Sequence, residues 1–500
     1  MGESLHAATE GAGSERWGRI GLAGGTVLFA AVCMTGGGSP VGNMGAVAVL
    51  MAAWWMTGAI PLAATALLPL VLFPLLGILP GREVAPLYLN SVIFLYVGGF
   101  LIALAMERWN LHRRIALGIV AAVGGGPQRL VLGFMVATAF LSMWISNTAT
   151  AVMMFAIALS VIRETERRAG AEKCRSFAVA LLLGVAYAAS IGGMATLVGT
   201  PPNLSLVRIH EISFPDADRI GFGEWMVLCV PISVALLGAA WWILARWLFR
   251  PDPELALPAE VIREERSRLG PMGREEATVL GVFVATALLW VFREGLDLGL
   301  VRIPGWAQVL PPRIREGIDD GTVAIAMALL LFVLPARERG RRILGADVFG
   351  KIPWHMVLVF GGGFALAKGF QSSGLSAWIG GGFGHLTGTP EIVLVAAVCL
   401  GLTFLTELTS NVATTEMVLP ILASVAVSAG INPLLLMIPA TLSASCAFML
   451  PVATPPNAIV FASGHLRIAD MVRAGWWLNW VGVIVITTLY LVVGRAVFGG

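Results

Sequence analysis

Charge is what this sequence has least of. Of its 500 residues only 13% are Asp, Glu, Lys or Arg, about half the ~25% of an average globular chain. That deficit excludes an ordinary water-soluble enzyme. Cysteine is equally sparse: Cys33, Cys174, Cys229, Cys399 and Cys446 are scattered and odd in number, so neither a disulfide framework nor a CxxC metal pair can be drawn. The six histidines stand far apart and form no HExxH. There is no GxSxG nucleophile elbow and no GxxxxGK[ST] phosphate loop. A net charge of +3 is too small to point to nucleic acid, and none is expected as a partner.

What the chain has instead is hydrocarbon, at 57% hydrophobic residues. A crossing of the ~30 Å apolar layer takes roughly 20 helical residues, so about eleven crossings fit. The expected fold is an all-α polytopic membrane protein in the lipid bilayer. Candidate spans are 20–38, 44–58, 60–79, 91–107, 176–206, 224–248, 277–293, 321–336, 354–370, 433–461 and 474–497. The first nineteen residues lack a basic n-region and Ile20–Met34 lacks an A-x-A cleavage pattern, which reads as a retained first helix and not a signal peptide.

Two apolar stretches, 130–162 and 392–427, are too short for two crossings of ~20 residues plus a turn. Each has a polar cluster near its middle, Ser146-Asn147-Thr148-Ala149-Thr150 and Thr409-Ser410-Asn411-Val412-Ala413-Thr414-Thr415. Both read as re-entrant hairpins whose tips reach mid-membrane depth. They are also copies. Phe140–Met153 and Phe404–Met417 share seven identities in fourteen at an offset of 264, which also superposes Gly98-Gly99-Phe100 on Gly362-Gly363-Phe364. Thr200-Pro201-Pro202-Asn203 recurs as Thr454-Pro455-Pro456-Asn457. The segment after the first hairpin, 163–175, reads as a loop with five basic residues, whereas 371–391 and 428–432 around the second have none. By the positive-inside rule the first hairpin enters from the cytoplasm and the second from outside. Such an inverted-topology repeat is the architecture of secondary transporters.

Each Pro-Pro pair removes two backbone donors inside an apolar span, so the helix breaks there. Unwound backbone at that depth survives only when buried in protein or lining a wet cavity. Its carbonyls can then hold a hard cation, and half-helix N-termini can face an anion. Ser, Thr and Asn supply neutral oxygens to Na⁺ and donors to carboxylates; an Asn does both. No Lys or Arg lies within ten residues of Asn147 or Asn411, so co-bound cations must offset the anion's charge.

The run Thr406-Glu407-Leu408-Thr409-Ser410-Asn411-Val412-Ala413-Thr414-Thr415, the segment from Leu442 through Val460, and Glu107-Arg108-Trp109-Asn110-Leu111-His112-Arg113-Arg114 resemble the divalent anion:sodium symporter (DASS) family over roughly residues 45–495. The likeness is nearest to the branch of sodium-coupled citrate and dicarboxylate carriers. That resemblance implies a dimeric, eleven-helix elevator-type transporter of di- or tricarboxylates in the plasma (inner) membrane, with a cytoplasmic N-terminal tail at 1–19. It implies a scaffold at 20–128 and 277–390 with surface arms at 110–123 and 374–387. A transport domain spans 129–249 and 391–500, and a cytoplasmic linker covers 250–276. By the same resemblance, one sodium site uses Ser142, Ser146, Asn147 and the backbone of Gly199; the other uses Thr406, Thr409, Asn411 and the backbone of Ala453. Substrate lies among Ser146, Asn147, Thr148, Thr200, Ser410, Asn411, Val412 and Pro455. The co-transported ion is Na⁺.

Other residues weigh in around this core. Glu407 and Glu416 flank the second tip at membrane depth, where carboxylates are functional suspects; Glu407 reads as supporting the site and Glu416 as solvated or hydrogen-bonded, with a substrate role the lesser reading. Lys368 reads as a structural or snorkelling residue, and the Gly98-Gly99 and Gly362-Gly363 pairs as close-packing points. The stretch 293–320 is the longest external loop and carries no evident chemistry. An exchanger or proton-coupled carrier of the same fold is the alternative. A channel or an intramembrane enzyme is more remote.

Overall fold

The computed structural model describes residues 12–255, 259–297, 302–337, 340–386 and 388–499. Of the expected N-terminal tail, 1–11 lie outside the described residues, as does position 387 of the second arm. Helix α1 (Ala12–Thr35) begins eight residues ahead of the expected span, because Ser14, Glu15 and Arg16 continue the helix past its apolar stretch. Then follow α2 (Pro40–Thr57), α3 (Ser91–Arg108), α4 (Leu111–Val123), α5 (Pro127–Ser142), α6 (Asn147–Ala169), α7 (Ala171–Gly193), α8 (Pro201–Ser213) and α9 (Phe222–Trp241). The second half holds α10 (Ala259–Arg268), α11 (Arg274–Val291), α12 (Asp320–Val333), α13 (Trp354–Ser373), α14 (Leu375–Gly381), α15 (Glu391–Leu405), α16 (Asn411–Ala429), α17 (Leu434–Ala444), α18 (Pro455–Phe461) and α19 (Ile468–Leu489).

Among the described residues, seven stretches of helix are individually long and apolar enough to cross a bilayer; α5, α12, α15 and α17 are apolar but shorter. Helices α5 and α15 are the short limbs ahead of the two tips and α17 the one ahead of the second break, whereas α6, α7 and α16 are long enough to cross. The two hairpins are α5–α6 and α15–α16, and the two broken helices are α7–α8 and α17–α18. Helix α7 sits at the centre, buried without interruption from Phe177 to Gly193. Large apolar side chains such as Leu75, Val234, Ile392 and Ile484 are exposed, as on a surface solvated by lipid tails.

Close approach relies on missing side chains. A Cβ on Gly98 would lie 2.6 Å from that of Ala324, and one on Gly362 would lie 2.7 Å from Ala66, so both glycine pairs do pack helices tightly.

Three expectations change. The segment 163–175 is not a loop: α6 runs to Ala169, and Gly170 alone (φ +88°) joins it to α7. Its charges sit on helix ends, where Glu164 pairs with Arg167 and Arg168. The span 60–79 is two pieces, Leu62–Thr65 and Leu68–Leu75. The loop 293–320 is organised: strand β1 (Gly295–Asp297) pairs antiparallel with β2 (Arg302–Pro304), and buried Arg293 donates to Asp320 Oδ1 at 2.6 Å. That ion pair ties the end of α11 to α12. Lys368 donates to Gln371 at 3.2 Å, in keeping with a structural role.

Candidate substrate and cation site

Both breaks are built on one plan. Thr200 and Thr454 adopt the same extended backbone (φ −142°, ψ 141° and 150°), and the following prolines occupy the first turn of α8 and α18. There the missing N–H costs nothing and the fixed φ suits the helix. The unwinding precedes the prolines, over 194–200 and 445–454. The asparagine closing each motif holds it in shape. Asn203 Nδ2 donates to the carbonyls of Gly193 (3.2 Å) and Thr196 (2.7 Å), ten and seven residues back. Asn457 Nδ2 donates to those of Ala447 (3.1 Å) and Leu450 (3.0 Å), again ten and seven back. These two staples were not among the expected site residues. Their presence in a repeated motif was the available signal.

The hairpin tips are equally alike. Ser146 and Ser410 are the N-caps of α6 and α16, both extended. At the first tip, Ser142 Oγ lies 2.5 Å from Asn147 Oδ1 and 2.7 Å from the Ala189 carbonyl. The end of the Asn147 amide faces only oxygens: Ser142 Oγ, the Ala189 carbonyl and the Gly199 carbonyl at 3.3 Å. Oxygens crowded together repel unless a proton or a cation lies among them. The cluster is satisfied either with the amide nitrogen turned inward, where it donates to all three, or with Oδ1 inward around a cation. Space for this is made by glycine: a Cβ on Gly193 would lie 2.5 Å from Asn147 Oδ1, and one on Gly199 would lie 2.5 Å from the Gly193 carbonyl.

At the second tip, Thr406 Oγ1 lies 2.8 Å from both Asn411 Oδ1 and the Ala444 carbonyl. This repeats the first arrangement with a threonine for the serine. Neutral oxygens, four at the first tip and three at the second, fit a hard, singly charged cation. Among the described residues no three His, Cys, Asp or Glu converge as a transition metal would need.

Not every expected residue joins these clusters. Thr409 turns away, with Oγ1 bonded to Leu405 O (3.0 Å) and Thr414 Oγ1 (2.5 Å). Ser146 Oγ accepts from Ala149 N (3.2 Å), capping its own helix. Ala453 lies in the second break and donates its N–H to Leu450 O (3.3 Å). Thr200 and Val412 are buried, whereas Thr148 and Pro455 are exposed. The hydroxyls of Thr148 and Ser410 have no partner among the described residues, which leaves them open to a ligand.

Glu407 spans the second break. Its Oε1 accepts from Phe448 N (2.7 Å), Met449 N (2.9 Å) and Asn479 Nδ2 (2.8 Å), and its Oε2 from Met449 N (3.0 Å) and Leu450 N (3.1 Å). Glu416 is fully buried, with Oε1 accepting from Ser205 of α8 while Oε2 lies against Gly363 of α13 with no partner among the described residues. Helices α16 and α8 pack together, as do α6 and α18. Each hairpin is thus joined to the half-helix of the other copy.

Paired hairpins, paired breaks and neutral oxygen clusters in an apolar helical protein define a membrane transporter. Its fold is shared with transporters of low sequence similarity: Neisseria gonorrhoeae MtrF, described among antimetabolite efflux pumps (TM-score 0.55, 14% identity, 91% of this chain and 94% of that one), and the Alcanivorax borkumensis YdaH transporter (TM-score 0.55, 15% identity, 86% and 90%). Residues 39–499 match the family described as the sodium:sulfate symporter transmembrane region, and the chain belongs to that family. The sodium-dependent dicarboxylate transporter SdcS of Staphylococcus aureus strain RF122 is 43% identical over 462 residues, 91% of this chain and 86% of its own length. The protein of the same name from Staphylococcus saprophyticus is 43% identical over 449 residues, 88% and 84%. The protein is therefore an integral, multi-pass membrane transporter and not an enzyme.

Proposed function

We propose that this protein is a sodium-coupled symporter of di- and tricarboxylates, of the succinate, malate, fumarate and citrate class. The observation that carries this reading is the pair of matched oxygen clusters, Ser142–Asn147–Ala189–Gly199 and Thr406–Asn411–Ala444. Each is a neutral cage suited to Na⁺, with the ion as cargo. Relatives 43% identical that are described as sodium-dependent dicarboxylate transporters support the same assignment. The sodium sites are built on Ser142, Asn147 and Gly199 and on Thr406 and Asn411, with Ser146, Thr409 and the Ala453 backbone, engaged elsewhere in this structure, turning in as further ligands once the ion binds. Substrate lies between the tips, against Ser146, Asn147, Thr148, Thr200, Ser410, Asn411, Val412 and Pro455, where the N-termini of α6, α8 and α16 favour negative charge.

A proton carrier working through Glu407 is disfavoured, because both its oxygens are taken up by backbone and Asn479 donors. The carboxylate is thereby committed to shaping the break. In this reading the protein is an inner-membrane homodimer of eleven-helix protomers with two re-entrant hairpins, inverted repeats and a cytoplasmic N-terminus. Its transport domain (129–249 and 391–500) slides as an elevator against the scaffold (20–128 and 277–390), with 250–276 as the linker. The test is uptake of labelled succinate and citrate into proteoliposomes under separately imposed Na⁺, K⁺ and proton gradients. Uptake should follow Na⁺ alone; uptake driven equally by a proton gradient, or only by internal dicarboxylate, would replace this reading with its alternatives.

A further inference from the structure

Away from the tips, a cavity of about 440 Å³ opens between the end of α4, the start of α5 and the linker helix α10. That volume lies in the range of ligand sites, roughly 300–1,000 Å³. Its floor is apolar, formed by Val120, Leu130, Leu255 and Ile262, and its rim carries Arg263 and Arg266. One wall is the turn Gly124-Gly125-Gly126, with φ of +36°, +66° and +85°. A Cβ on Gly125 or Gly126 would meet nothing.

The charge balance of α10 singles out the two arginines. Its acids are consumed elsewhere: Glu260 by Arg168, Glu264 by Arg268, and Glu265 by Arg113 and Arg268. Arg113 and Arg114 in turn fasten α4 to the linker, Arg114 through Glu276 (2.5 Å) and the Gly270 carbonyl (3.0 Å). Arg263 and Arg266 are exposed, and their guanidinium groups have no ion-pair or hydrogen-bond partner among the described residues. Two uncompensated guanidinium groups above an apolar pocket, at the mouth of an apolar helical bundle, match a molecule with an anionic head and a hydrocarbon body.

We propose that this cavity binds an anionic phospholipid, with the phosphate on Arg263 and Arg266 and the acyl chain on Val120, Leu130 and Ile262. Juxtamembrane arginines are suited to that headgroup, and the planar fork of each matches phosphate oxygens. The bound lipid bridges the linker to the glycine turn that leads into the first hairpin. The site rests on the cavity and its charges; only the leaflet it faces depends on the functional reading above.

The experiment is thermal stabilisation of the whole detergent-purified protein by dihexanoyl phosphatidylglycerol, with dihexanoyl phosphatidylcholine and glycerol 3-phosphate as comparisons. Wild type should show a saturable rise in melting temperature with phosphatidylglycerol and little with the other two. The double variant R263A/R266A, altered only at exposed side chains, should bind phosphatidylglycerol roughly tenfold to thirtyfold more weakly. Ile262→Trp, which fills the floor, should weaken it while leaving both arginines in place. Unchanged affinity in the double variant, or equal stabilisation by phosphatidylcholine, would overturn the proposal. Glycerol 3-phosphate matching the lipid would also overturn it, by revealing a site for soluble phosphate.

Discussion

Asn147 and Asn411 each face a hydroxyl and reach a helix-end carbonyl through it, so under the proposed function replacing either by alanine removes a cation ligand and a donor to substrate together. Uptake in Asn147→Ala and Asn411→Ala should be abolished while the protein still elutes as folded; wild-type kinetics in both would make the tips merely structural. The staples predict a different signature. Asn203→Ala strands the Gly193 carbonyl in a buried break and leaves that of Thr196 only the long bond from Gly199 N (3.4 Å), at about 1–3 kcal/mol for a buried group left unpaired. Because the Gly199 carbonyl belongs to that break, the Na⁺ concentration for half-maximal uptake should rise severalfold, measured beside succinate affinity at saturating Na⁺. The tip asparagines were legible in the sequence because they recur within a repeated segment. Asn203 and Asn457 recur as conspicuously, yet their task was not legible. It depends on the chain doubling back ten residues, a path that no spacing rule encodes.

The second break is held by another element. Glu407 lies at the end of α15, yet its partners are the amides of 448–450 and Asn479 of α19, 41 to 72 residues away. A carboxylate inside an apolar stretch is conspicuous in the sequence, but only the folded chain brings those amides to it. Glu407→Gln presents an NH₂ to a nest of donors, so its melting temperature should fall and uptake be lost; a variant as stable as wild type would show that the nest does not shape the break. The Ser205–Glu416 contact makes a sharper test. Ser205→Ala leaves a buried carboxyl with no partner, costing about 1–3 kcal/mol or more, whereas removing both groups lets apolar atoms meet. Ser205→Ala/Glu416→Leu should therefore melt higher than Ser205→Ala alone; strict additivity of the two single changes would count against the contact. The misread segment 163–175 belongs to this scale too. Charge density reads as a loop signal, but a helix that has left the apolar layer keeps its hydrogen bonds while its side chains meet water.

The expected repeat, with its hairpins and Pro-Pro breaks, could be read from the sequence because duplication prints each element twice; relative placement of the halves could not, since Ser205 and Glu416 are 211 residues apart. At this scale the coupling of ion and substrate can be tested. With no basic side chain near either tip in the sequence, a divalent anion binds tightly only when Na⁺ supplies the opposing charge, and each ligand then strengthens the other by the same factor. Succinate should raise the melting temperature in NaCl and hardly at all in choline chloride; equal shifts would remove sodium from the mechanism. The opposed orientation proposed for the hairpins predicts that a cysteine at exposed Arg167 is labelled only from the cytoplasm, and one at Gly381, which has open space for a side chain, only from outside. The reach of the two staples has a consequence for how the molecule is made. Since each is closed within ten residues, a break can set its shape as soon as its own stretch of chain has been inserted, without waiting for the other half. Two separately translated fragments, divided in the linker between α9 and α10, should each carry a finished break into the bilayer and regain uptake on meeting there.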